Sequence, residues 1–221
     1  HLELENKKDN SKWEAMVKKI RNVSDKEVNI AIVGKYIKLE DSYLSVVESL
    51  KHGSFENNVK VNIKFIDSET ITKESAKNIL KDIDGIVVPG GFGNRGIEGK
   101  IQAIKYVREN NIPFLGICLG MQMAVVEFKA NSAEFDEICE NPVIHIMEDQ
   151  MGITRKGGTM RLGAYPCVIK KNTLANKLYH AENISERHRH RYEYNNAYKD
   201  RLEEAGLICS GTSPDGTLVE I

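Results

Sequence analysis

Ile112-Pro113-Phe114-Leu115-Gly116-Ile117-Cys118-Leu119-Gly120-Met121-Gln122 sets a cysteine between two glycines where a short apolar strand gives way to a helical pattern. The strained strand-to-helix turn that presents a nucleophile, the G-x-S-x-G elbow of hydrolases, needs glycine on both sides because Cβ atoms do not fit there. Gly116 and Gly120 occupy those positions, and Cys118 takes the place of the serine. A helix is expected from about Leu119 to Phe128. The N–H groups and dipole at its first turn favour thiolate, the reactive form of cysteine. The competing reading of Cys118 is a small buried hydrophobe at a strand end. The flanking glycines favour the nucleophile.

Upstream of the elbow, strand and helix patterns alternate. Val28 to Gly34 is a short apolar strand, Asp41-Ser42 is placed to cap a helix carrying Leu44, Val47 and Leu50, and Val59, Val61, Ile63 and Phe65 alternate as a strand does. A helix near Thr72 to Leu80, a buried strand Gly85-Ile86-Val87-Val88 and a helix carrying Ile97, Ile101, Ile104 and Val107 follow. This order predicts a doubly wound, mostly parallel α/β sheet with helices on both faces. Ligands bind outside the carboxyl ends of the strands in such sheets, where both Gly90-Gly91 and Cys118 fall. Residues 1–26 are rich in Lys, Glu, Asn and Asp, and their apolar periodicity is one stripe, Trp13, Met16, Val17 and Ile20. That segment reads as a linker helix docking on something, ahead of a main domain over residues 27–221.

Composition narrows the partners. In 221 residues, 31 Lys and Arg stand against 32 Asp and Glu, so no global field selects nucleic acid or an anionic membrane. No apolar run has the length of a membrane span, and the opening His1-Leu2-Glu3-Leu4-Glu5 is too charged for a signal peptide, so a cytoplasmic location is expected. Cys118, Cys139, Cys167 and Cys209 lie far apart without C-x-x-C spacing, which points to neither a metal site nor a disulfide framework. Three of the four are expected to be structural.

Pro89-Gly90-Gly91-Phe92-Gly93, directly after a predicted strand, is the second informative site. Consecutive glycines there let backbone N–H groups face a ligand. In acyl transfer, one such N–H and that of Leu119, the residue after the nucleophile, would cradle the developing oxyanion. Alone, G-G-x-G is more often a plain turn; the pairing with the elbow in the next strand unit gives it weight.

Together these two motifs resemble the class I glutamine amidotransferases. Gly34-Lys35-Tyr36, Ala130-Asn131-Ser132-Ala133-Glu134-Phe135, Gly157-Gly158-Thr159-Met160-Arg161-Leu162-Gly163 and Glu186-Arg187-His188-Arg189-His190-Arg191-Tyr192-Glu193 extend the similarity to the glutaminase domains of CTP synthases, from about Trp13 to Ile221. The resemblance implies an antiparallel C-terminal part to the fold and hydrolysis of L-glutamine through a cysteine thioester. Ammonia would pass to an N-terminal synthetase domain, to which residues 1–26 would lead, converting UTP to CTP with ATP. It implies Cys118 as nucleophile, Gly91 and Leu119 as oxyanion donors, and Gly91, Leu119, Gly120, Met121, Gln122, Glu134 and Arg191 as the glutamine site. Glu134 and Arg191 carry the charges that suit the ammonium and carboxylate of a free amino acid. No metal or cofactor is implied for this part; ATP, UTP, Mg2+ and allosteric GTP, and a homo-tetramer, are implied for the complete enzyme. No G-x-x-x-x-G-K-[ST] occurs in these residues.

Two departures accompany the resemblance. The family's base and orienter are a His-x-Glu pair just after the position matching Leu218-Val219-Glu220-Ile221, so the nucleophile is expected here without them. Only Lys129 separates Phe128 from Ala130, a shorter connection than the family's, which bears on the position of Glu134. Other readings stay open: a glutaminase serving another amidotransferase, or a regulatory module that has lost the triad. If extended, Arg187 to Arg191 also places three arginines on one face and His188 with His190 on the other, a phosphate-binding strip. In a neutral chain with little aromatic interleaving, that is weak support for nucleic acid. His52, His145 and His180 read as structural or surface residues.

Overall fold

Apolar, β-branched runs form the central strands, as their burial on both faces requires. In the computed structural model, which describes residues 9–128, 131–132, 142–146 and 160–221, helix α1 (Ser11–Arg21) precedes strand β1 (Glu27–Gly34). Strands β2 (Lys60–Asp67), β3 (Gly85–Val88) and β4 (Phe114–Gly116) join β1 in one parallel sheet of order β2-β1-β3-β4. Ala31, Ile32 and Val33 are successive residues of β1 and point to alternate faces, yet each is fully buried, so both faces of the sheet are covered. The order reverses between β1 and β3, which makes their carboxyl ends the switch point of the sheet.

Helices α2 (Leu44–Glu56), α3 (Ala76–Ile79) and α4 (Ile97–Glu109) are the crossovers, and α5 (Leu119–Glu127) follows β4. The main core gathers Val33, Leu80, Val88, Ile104, Val107 and Met123 from the sheet, the end of α3, α4 and α5. Beyond α5, β5 (Asn131–Ser132) and β6 (Pro142–Ile146) are followed by β7 (Arg161–Ile169), α6 (Leu174–Tyr179), β8 (Asn183–His190), β9 (Tyr192–Tyr194), α7 (Lys199–Glu204) and β10 (Gly211–Thr212). β7 pairs antiparallel with β8 and β10, and β6 antiparallel with β9. A second core of Val125, Val143, Ile144, Tyr194, Leu202 and Val219 ties this part to α5. The expected doubly wound sheet and the antiparallel C-terminal part are both present.

Two expectations change in detail. Asp41 and Ser42 do not cap α2: they sit in a 3-10 turn over Glu40–Tyr43, Tyr43 is the N-cap, and no side chain caps the helix. The amide of Ser42 donates to Leu39 O, which commits this segment to a tight turn before the helix starts. The helix expected near Thr72 to Leu80 is one turn, α3. Ser75 Oγ accepts from Thr72 N and donates to Thr70 O, and such local hydroxyl bonds compete with helix propagation. The stripe on α1 stays open, with Trp13 67% exposed and Met16, Val17 and Ile20 also exposed. Among the described residues, no helix is long and apolar enough to cross a membrane.

Ile32 is fully buried at the centre of the sheet. Ile32→Ala is expected to lower unfolding free energy by about 2–5 kcal/mol, read from the urea midpoint at unchanged slope.

Candidate active site

At the end of β4 the chain turns sharply into α5, and Cys118 holds the turn at φ 54° and ψ −109°. A non-glycine residue in this region stores backbone strain, which persists only where the surroundings enforce it. Here the flanking glycines do so. A Cβ on Gly116 would stand 2.6 Å from Gly120 C and Met121 N, and one on Gly120 would stand 1.9 Å from Val88 O. The elbow read from the sequence is therefore a steric requirement of α5 resting against the end of β3.

The Pro89–Gly93 loop follows β3 and faces the elbow. A Cβ on Gly90 would lie 3.5 Å from Cys118 Cβ, and one on Gly91 would lie 3.5 Å from Leu119 Cδ2. Lys35, at the end of β1, donates from Nζ to Phe92 O, and Arg95 Nη2 donates to Lys35 O at 3.0 Å, so two cations brace the loop. Lys100 of α4 is 1% exposed, and its Nζ lies beside Gly91.

A cavity of about 420 Å³ opens between these segments, lined by Gly91, Phe92, Gly93, Cys118, Gln122, Met160, Arg189, His190, Arg191 and Tyr192. That size suits a small-molecule ligand. Of the residues expected at the site, Gly91, Cys118, Gln122 and Arg191 meet on this cavity. Leu119, Gly120 and Met121 form the first turn of α5 and do not line it. Leu119 is buried, and Gly120 N donates to Ile117 O at 3.0 Å. Gln122 is buried and donates from Nε2 to Tyr192 O at 3.3 Å, joining α5 to the opposite wall. Glu134 and Cys139 lie outside the described residues, as do Ala130 and Gly157 to Thr159 of the two glycine- and asparagine-bearing motifs.

That opposite wall is the end of β8 and the turn into β9. Period two holds along Asn183–His190, with Arg187 and Arg189 exposed and His188 and His190 turned inward. The inward histidines enter a buried network absent from the sequence reading. His190 Nε2 lies 2.6 Å from Glu193 Oε1, and His188 Nε2 lies 3.0 Å from Glu220 Oε2. Arg161 joins both carboxylates, with Nη2 at 2.6 Å from Glu220 Oε1 and Nη1 at 3.4 Å from Glu193 Oε1, and stacks 4.4 Å from the Tyr165 ring centre. Burial opposes the Arg161 charge, and Glu220 followed by Glu193 more than offsets it. Because His190 and Glu193 flank Arg191 and Tyr192, the network fixes the wall that carries them.

Cys167 and Cys209 differ from Cys118. Burial pushes the Cys167 thiol up to about 11, with Glu220 and Glu186 acting in the same direction, and burial also raises Cys209. Both are nearly inaccessible, whereas Cys118 is half-exposed at the cavity. A His-x-Glu spacing does occur among the described residues, in His180-Ala181-Glu182. His180, exposed and left-handed at φ 52°, ends α6 and does not line the cavity.

The profile of the class-I glutamine amidotransferases matches residues 38–221. The chain belongs to that family. Among curated relatives of this amidotransferase, CTP synthase of Clostridium acetobutylicum is 58% identical over 229 aligned positions, covering 100% of this chain and 43% of the relative. CTP synthase of Clostridium kluyveri is 56% identical, covering 98% of this chain and 42% of the relative. The chain thus spans about two fifths of the length of these relatives. The solved glutaminase domain of Trypanosoma brucei CTPS, with bound acivicin, is 39% identical with a TM-score of 0.79, covering 87% of this chain and 79% of that one.

Two outcomes follow from the buried network. Arg161→Ala strands two carboxylates that are almost fully buried and is expected to cost about 3–5 kcal/mol in urea unfolding. His188 titrates below its ordinary 6.5, chiefly because burial disfavours its charge. The unfolded chain therefore binds this proton first as pH falls, so stability declines from about 6.5 downward until the folded-state value is passed. His188→Gln is expected to flatten that acid limb in melting temperatures taken from pH 7 to pH 5.

Proposed function

We propose that the chain is the glutaminase part of a CTP synthase, cleaving L-glutamine at Cys118. The observation that carries this reading is the strained elbow, which opens Cys118 onto a cavity shared with Gly91, Gln122 and Arg191. The thiolate attacks the γ-carboxamide carbon, forming a C–S bond and pushing the carbonyl electrons onto oxygen. The N–H groups of Gly91 and Leu119 receive that oxyanion. Its collapse breaks the C–N bond, and the nitrogen leaves as ammonia after taking up a proton. Water then cleaves the γ-glutamyl thioester to glutamate and restores the thiol.

Arg191 pairs with the substrate carboxylate and Glu134 with its ammonium, while Gln122 fixes the α5 side of the cavity to the Tyr192 side. In the whole protein, ammonia would pass to a synthetase domain that aminates UTP with ATP and Mg2+, in a tetramer under GTP control. Residues 1–26 would lead into that domain, and the open α1 stripe suits docking there. No residue described here is assigned to the nucleotides or to Mg2+.

Incubation with a diazo-ketone analogue of glutamine, followed by peptide mass spectrometry, should place the adduct on Cys118. Labelling mainly at Cys139, Cys167 or Cys209 would refute the assignment. In the whole protein, Arg191→Ala should lower glutamine-dependent kcat/KM by about 1.5–3 kcal/mol in transition-state terms while sparing the reaction driven by free ammonia. Equal loss of both activities would give Arg191 a structural role instead.

A further inference from the structure

Lys100 is a buried charge that the glutaminase reading leaves unused. It lies within the inward stripe of α4, three residues after Ile97 and four before Ile104, and is the largest of the fully buried side chains among the described residues. An ammonium taken out of water is strongly unfavourable without an anion nearby. Among the described residues, the charged groups that bear on it are Lys35, from the end of β1, and Cys118, from the elbow. Lys35 has the same sign, so the Cys118 thiolate is the group that favours the Lys100 charge.

The glycine loop brings the two together. A Cβ on Gly91 would stand 3.8 Å from Lys100 Nζ, while a Cβ on Gly90 would stand 4.0 Å from Cys118 Sγ. One layer of side-chain-free backbone thus separates the buried ammonium from the thiol. We propose that Lys100 is a positioning residue for the cysteine chemistry, its ammonium acting through the Gly90–Gly91 loop to hold Cys118 as thiolate. The same charge supports the oxyanion expected at the Gly91 and Leu119 N–H groups. This inference rests on Cys118 being the nucleophile. Burial, then Lys35, draw Lys100 down to about 8, and the thiolate opposes that shift, so the ammonium is mostly charged at pH 7. Interaction is mutual: what the thiolate does for the ammonium, the ammonium does for the thiolate.

The test is the pH-dependence of Cys118 alkylation by iodoacetamide, read peptide by peptide in the unaltered protein and in Lys100→Met and Lys100→Arg. Arg189, His190 and Arg191 face Cys118 across the cavity and are the same in all three. In Lys100→Met, the pH midpoint of Cys118 reactivity should rise by about one unit, and the rate at pH 7 should fall about tenfold. Its melting temperature should not fall, because an apolar side chain of similar volume replaces a buried charge whose desolvation is costly. Lys100→Arg keeps the charge and should keep the midpoint. An unchanged midpoint in Lys100→Met, or the same shift in Lys100→Arg, would overturn the proposal and leave the nucleophile assignment standing. If Lys100→Met unfolds, Lys100→Gln is judged by the same midpoint. Preferential labelling of another cysteine in the unaltered protein would refute the nucleophile itself, and this proposal with it.

Discussion

The first turn of α5 rests on the carbonyl end of β3 at a separation that leaves no space for a side chain at Gly120. That contact places the helix start, the sheet edge and the Pro89–Gly93 loop within one small volume. Cys118 must bridge them in a conformation that an L-residue adopts only under constraint. The strain is balanced by the main core, in which Val88, Leu119 and Met123 are nearly or fully buried around the same junction. A loosened junction would let Cys118 relax toward an ordinary φ and turn its thiol away from the loop. Stability of the core and geometry of the thiol are therefore one property of this fold.

The wall across from the elbow is held by different means. It belongs to an antiparallel region whose apolar clusters are smaller, and an ionic network substitutes for hydrophobic mass. Arg161 bridges two carboxylates from β9 and from the last residues of the chain, and the histidines of β8 complete the group. Geometry rather than net energy is what such a network supplies, since an apolar replacement of the whole set can be as stable. Arg191 sits between two of its members and is presented to the cavity as a result.

The parallel sheet was legible because its strands are apolar on both faces and its crossovers carry a 3.6-residue stripe. The elbow was legible because steric exclusion leaves a mark in residue type: glycine recurs where Cβ cannot fit. Gly91, Cys118, Gln122 and Arg191 line one cavity. Glu193 and Glu220 were not found, because a buried carboxylate and a solvated one look alike in sequence, and their partner Arg161 is 32 and 59 residues away. The start of α2 was misread because Asp-Ser signals a turn as readily as a cap. Lys100 carried a usable signal that went unread, a cation inside an otherwise apolar stripe of α4.

Lys100 and Arg161 show why the near-zero net charge said so little about the site. Both are almost wholly buried cations of one neutral chain. Arg161 is met by two carboxylates and stays firmly charged, so its contribution is to architecture. Lys100 is met by a lysine and a thiol, and its proton affinity drops toward neutrality. A cation whose charge depends on the state of its neighbour is poorly suited to holding strands together. It is well placed to respond to a group that alternates between thiolate and neutral thioester, as Cys118 would in each turnover. The distinction lies in the neighbours that the fold supplies, which is why the functional charge stands at the switch point of the sheet and the structural one behind the β8–β9 turn.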